Sequence, residues 1–226
     1  MLIERLHLYS LAFMAAVYVV RIVWIMRFRL ARDLARPKGD SLRGAALAMT
    51  TMFRPWSMET TRTGFIQWIE FAVFHVGVAV MIAMSFVISL AQQWLTPTVI
   101  ALVIASQALA LVAGILRLVK RLREPRLRAI SSPDDYFALA MANLLFITCA
   151  LATLHLPAAT ELYFILVAII IAIVPFTKIS HYIYYPFARY FYGAVQEAPH
   201  PSGRHQPASV RTLRAVRQRL PLLPGD

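Results

Sequence analysis

Charge is scarce in this 226-residue chain: 15% of its residues are charged, where soluble domains carry about a quarter. Acidic residues are rarer still, 11 against 23 Lys+Arg, and lysine contributes only 3 of those 23. There is one cysteine, Cys149, which excludes a disulfide framework and a thiolate-held iron–sulfur site built by this chain alone. It lies inside an apolar run and reads as a small packing residue. No acid/base pair, metal cluster or activated nucleophile suggests substrate chemistry, so the chain does not read as a complete enzyme. No soluble basic domain exists to use the net charge of +12 on nucleic acid.

What the sequence has in abundance is apolar length. With 59% hydrophobic residues and a mean hydropathy of +0.62, it contains five runs long enough to cross a ~30 Å hydrocarbon core as helix. They are Tyr9 to Met26, Phe65 to Leu90, Thr98 to Leu118, Tyr136 to Leu156 and Leu162 to Tyr185. Glu4 and Arg5 precede the first run and no small-residue cleavage pattern follows it, so it reads as a retained span rather than a signal peptide. The expected fold is all-α, an integral membrane five-helix bundle in residues 1–195. A basic, proline-rich tail over 196–226 is expected to be disordered or partner-bound.

The basic residues set an expected orientation. Eight Lys+Arg lie in 27–62, six in 117–128 and seven in 178–226, while the connections 91–97 and 155–161 hold none. The positive-inside rule then puts the N-terminus outside and the C-terminus inside. The same clusters favour contact with anionic lipid headgroups. In the first inside loop, Ser41 to Phe53 reads as a short amphipathic helix lying on the membrane, with Arg43 on its polar side. In the second, Ser132-Pro133-Asp134-Asp135 is a helix start: a capping serine, a proline at the first helical position, and two acids at the positive end of the dipole.

Six histidines differ in setting. His200 and His205 are in the polar tail; His7 and His155 sit at the ends of spans and read as polar side chains at headgroup level. His75 and His181 lie within apolar spans, where a polar side chain is costly and faces a partner in the bundle. His75 is 13 residues past Arg62 and His181 eight before Arg189, about 20 and 12 Å at 1.5 Å per residue. On antiparallel helices they reach similar levels in the inner half of the bilayer. Two neutral imidazoles there could ligate one haem iron axially; two hydrogen-bonded core histidines would account for the same facts. Gly77 would let a flat macrocycle approach, and Pro175 would kink the helix entering the site. Lys178 could pair with haem propionates or snorkel to the surface.

The stretches "FAVFHVGVAVMIAMSF" and "VPFTKISHYIYYPFARYFYGAV" resemble spans two and five of the gamma subunit of respiratory nitrate reductase. That group includes related membrane cytochromes b of sulfite-reduction-linked and heterodisulfide-reductase-like complexes. "EPRLRAISSPDDY" is similar to the loop before the family's fourth span, and the resemblance covers roughly residues 5–195. It implies bis-histidine haem b passing electrons between quinone and an iron–sulfur partner inside. His75 and His181 match the two ligands of the haem nearer the inner face. Two-haem members carry further histidines where this chain has Ser85 and Tyr163, so the expectation is one haem b per chain. The family's outer-side quinol site lies beside the missing haem, and a quinone near the single haem is expected instead. Glu70 is a candidate proton carrier there, or else the partner of an inside arginine such as Arg62.

The sequence therefore points to a non-autonomous electron-transfer subunit in a bacterial inner (cytoplasmic) membrane. It would exchange electrons with the quinone pool and with a cytoplasmic iron–sulfur or flavoprotein partner on the basic inner loops. The rivals are a haem-free anchor tethering a soluble oxidoreductase and a small transporter. The transporter is disfavoured because Gln107 and Asn143 are almost the only strongly polar interior residues of spans three and four.

Overall fold

A computed structural model describes residues 2–27, 41–51 and 64–195. Among them every regular element is helical: α1 (Leu2–Arg27), α2 (Ser41–Thr51), α3 (Phe65–Leu90), α4 (Pro97–Arg123), α5 (Pro125–Ile130), α6 (Pro133–Thr153), α7 (Pro157–Ile173) and α8 (His181–Val195). Five segments are long and apolar enough to cross a membrane: Arg5–Arg27, Phe65–Leu90, Pro97–Arg123, Pro133–Thr153 and Pro157–Phe176. The multi-pass, all-α expectation holds. Arg62, His200, His205 and the tail lie outside the described residues.

The chain divides into two units. One comprises residues 1–31 and 55–185, the other 32–54 and 186–226. In the second, the expected loop helix is α2, ending at Thr51, and Arg189 donates to the Ala48 carbonyl at 2.9 and 3.2 Å.

In the first unit α1 packs on α7, α3 on α4, α4 on α6 and α6 on α7. Helix starts follow the local chemistry. Thr96 accepts from the Val99 N–H ahead of Pro97, which needs no donor partner of its own. At α6 the expected start is present as a capping box: Asp135 Oδ2 accepts from the Ser132 backbone N–H at 2.7 Å and from its hydroxyl at 2.9 Å.

Small residues set how closely the helices approach. Gly77 is buried, and a Cβ there would overlap the Ala110 side chain on α4; a Cβ on Gly114 would overlap Asn143 Oδ1 on α6. In hydrocarbon, where packing rather than water expulsion drives helix association, such small–small contacts bring backbones together. The expectation that Gly77 admits a macrocycle is therefore corrected: its open side is taken by α4, and Gln107 Nε2 donates to its carbonyl at 3.2 Å. Asn143 likewise serves a helix contact.

The fifth span also departs from expectation. Rather than one kinked helix from Leu162 to Tyr185, α7 ends at Ile173 and two 3-10 turns follow, Val174–Phe176 and Lys178–Ser180, before α8 starts at His181. Pro175 lacks the N–H that would continue the ladder, and Thr177 adopts extended geometry (φ −116°, ψ 170°), so the helix breaks outright.

Gly77→Val should force α3 and α4 apart and cost about 1–3 kcal/mol by overpacking. Thermal unfolding of the purified protein, followed by circular dichroism, should show a lower midpoint with unchanged helical content at low temperature.

Candidate functional site

Both candidate histidines belong to the first unit, and the fold brings them together. His75 comes from the first half of α3 and His181 from the first position of α8. Their ring centroids are 6.4 Å apart with the planes at 80°. Each ring is oriented by its own backbone: His75 Nδ1 lies 2.8 Å from the Phe71 carbonyl and His181 Nδ1 lies 3.1 Å from the Lys178 carbonyl. A carbonyl only accepts, so both Nδ1 atoms carry the proton. Both Nε2 atoms are then left with lone pairs, the tautomer a metal-ligating imidazole needs.

The separation suits a metal between the rings. Two metal–nitrogen bonds of roughly 2 Å, plus about 1 Å from each nitrogen to its ring centre, span roughly 6 Å. Among the described residues no three His, Cys, Asp or Glu side chains converge, so the chain does not supply a three-ligand set at this place. A macrocycle brings its own four equatorial nitrogens and asks the protein for two axial ligands. The donor set therefore fits haem b.

The position of His181 depends on how the helix break is held. From within, Thr177 Oγ1 and Ser180 Oγ both donate to the Val174 carbonyl, at 3.1 and 2.6 Å. From α1, Tyr18 donates to Ser180 Oγ at 3.2 Å, and the Arg21 guanidinium donates to the Pro175 carbonyl. From α6, Asp134 Oδ2 accepts the Lys178 backbone N–H at 2.5 Å, and Asp135 Oδ2 accepts Lys178 Nζ at 2.9 Å. Lys178 thus pairs with Asp135, and its carbonyl orients the His181 ring. The acids that start α6 also fix the turn that presents His181.

Glu70 is held at both oxygens by Lys120 Nζ, at 2.7 and 2.8 Å. The sequence left Glu70 as a proton carrier or the partner of an inside arginine such as Arg62, which lies outside the described residues; among those described, its partner is a lysine from α4. Sequence reasoning also passed over Arg117, counted only as part of a basic loop. Its guanidinium carbon stands 5.6 Å from the ring centroids of both Phe71 and Phe74, the two aromatics that flank His75. Its position four residues before Arg121, on the same helix face, was the available signal.

The level of Ser85 and Tyr163, where the resemblance implies further histidines in two-haem relatives, is filled. Tyr163 is fully buried and donates to the Met81 carbonyl at 2.5 Å; Ser85 is 1% exposed and bonds the Ile82 carbonyl at 2.7 Å. His7, expected at headgroup level, is instead 0% exposed, its ring packed against Phe86 at 5.6 Å and Phe164 at 5.2 Å. The first helix carries it into the bundle, where its flat ring fills space between α3 and α7. His155 is exposed in the turn after α6 with φ 57°, which histidine tolerates better than branched residues. With Tyr163, Phe164, Phe146 and His7 all at 0% exposure, this level does not fit a second macrocycle.

No family model, curated protein or solved structure matches this chain.

Asp135→Ala removes both a helix cap and the Lys178 partner, so it should cost about 1–2 kcal/mol. Lys178→Ala should cost only a few tenths, because more than half of its side chain is exposed and the pair is screened. Chemical denaturation of the two variants and the double variant checks the ordering.

Proposed function

We propose that this protein is a membrane cytochrome b subunit, similar to the gamma subunit of respiratory nitrate reductase and its relatives. It carries one haem b between His75 and His181. The observation that carries the reading is the facing pair: two histidines 106 positions apart in the sequence, each tautomerically set by a backbone carbonyl, at the spacing a single metal centre requires.

When bound, the haem supplies reversible one-electron transfer. The chain's residues do the rest. His75 and His181 would hold the iron, and Phe71 packs on the His75 ring. Arg117 places positive charge beside the site, which favours the electron-richer reduced state. Lys178 is tied to Asp135, so its expected role with the propionates passes in this reading to orientation of His181. Glu70 remains the candidate proton-carrying carboxylate, exchanging through its Lys120 ion pair.

The basic clusters support an N-terminus outside and a C-terminus inside, in a bacterial cytoplasmic membrane. A cytoplasmic iron–sulfur or flavoprotein partner would dock on the inner loops, with quinone as the other exchange partner. In this reading the chain is an electron-transfer subunit rather than an enzyme by itself.

A dithionite-minus-air difference spectrum with pyridine haemochrome quantitation on purified protein tests this. One b-type haem per chain, lost in both His75→Ala and His181→Ala while helical content is kept, is the expected result. Folded protein without haem would leave a haem-free membrane anchor as the better account, and two haems per chain would contradict the filled Ser85–Tyr163 level.

A further inference from the structure

Arg21 is one of two basic residues outside the three basic clusters, and it lies within the first span. A guanidinium at that depth needs partners. It has the Pro175 carbonyl, the Tyr184 oxygen at 2.9 Å and the face of Phe176 with the centroid 5.2 Å away. None of these is anionic, and among the described residues no carboxylate pairs with it. Tyr184 accepts from Arg21, so its own O–H points elsewhere, and no acceptor for that proton is found among the described residues. Two donors therefore stand side by side with hydrogen-bonding capacity left over.

They stand at a cleft of about 650 Å³, lined by Val20, Arg21, Trp24, Ile25 and Tyr184. Sites for small ligands run to roughly 300–1,000 Å³, mostly apolar with a few polar groups that fix orientation. Here the apolar wall is Val20, Ile25 and an indole, and the polar groups are both donors. A matching ligand is flat and apolar with an acceptor oxygen at its edge. Tyr184 is three residues after His181 in α8, so the cleft opens about one helical turn, roughly 5 Å along the axis, from the candidate haem ligand.

We propose that this cleft binds the head ring of a quinone, with one ring carbonyl accepting from the Tyr184 hydroxyl and the Arg21 guanidinium and the ring lying against Trp24. The proposal rests on the quinone-linked reading above and gives that reading a location. A phospholipid phosphate also accepts from Arg and Tyr. The aromatic lining favours the planar ring, because stacking rewards a π-face that a tetrahedral phosphate lacks.

The test uses the purified full chain and a ubiquinone bearing a single isoprene unit, followed by quenching of tryptophan fluorescence, with Trp24→Phe to assign the signal. Saturable quenching that disappears in Trp24→Phe is expected. Tyr184→Phe, which removes only the hydroxyl, should weaken binding about tenfold, and Val20→Trp, which fills the cleft, should abolish it. Haem content and helicity should be unchanged in both. Equal binding in the parent, Tyr184→Phe and Val20→Trp would overturn this location while leaving the quinone-linked reading in place. Absence of saturable binding anywhere in the parent would overturn both. Displacement of the probe by phosphatidylglycerol, but not by phosphatidylcholine, would reassign the cleft to an anionic lipid and overturn the proposal. Absence of haem with quinone binding intact would sink the cytochrome reading alone.

Discussion

A broken helix inside a membrane must have its backbone polar groups satisfied by protein, because hydrocarbon offers no water to do it. That constraint organises this molecule. Pro175 ends α7, and the carbonyls of Val174 and Pro175 are taken up by Thr177, Ser180 and Arg21 rather than by the next helical turn. Tyr18 and Arg21, three residues apart and so on one face of α1, meet the break from one side. Asp134 and Asp135, at the tip of α6, meet it from another. The first span of the chain and the cap of the fourth thus define where the fifth span resumes, and it resumes at His181.

Small residues close some helix contacts and large ones fill others. Gly77 against Ala110, and Gly114 against Asn143, bring α3, α4 and α6 together. Between α3 and α7 the space is bridged by Tyr163, Phe164 and His7, and the His75–His181 pair joins α3 to α8 at the other level. At the Tyr163 level, tyrosine and phenylalanine fill the volume, since an empty cavity costs packing on every wall. At the His75–His181 level the two rings stand 6.4 Å apart, centroid to centroid.

Much of this was legible in the residues. Apolar run length located five spans, four of them with ends within about seven residues of their helices and the fifth running twelve residues past the end of α7 at Ile173, and "SSPDD" announced the start of α6 through capping chemistry. His75 and His181 were singled out by depth alone, and the fold joins them. The reading missed what requires a third dimension. His7 looked interfacial because it precedes the apolar run that begins at Tyr9, yet α1 docks on α7 and turns that ring inward. Gly77 was read as facing the site because only two residues separate it from His75, but two positions on a helix are 200° apart and so face nearly opposite ways. Pro175 was expected to kink. The extended Thr177 that makes the kink a break depends on Asp134 capturing the Lys178 N–H, a contact between positions 44 apart.

The clamp on the break also imposes an order in time. Residues 18 and 21 leave the ribosome early, and Pro175, 154 positions after Arg21, leaves it late. Until the final span is in the membrane, the α1 side chains have nothing to hold and His181 has no defined direction. His75, on a helix finished much sooner, waits with its Nδ1 already bonded to the Phe71 carbonyl. His181 thus takes its direction only after the segment that begins at Pro175 has joined α1 and α6.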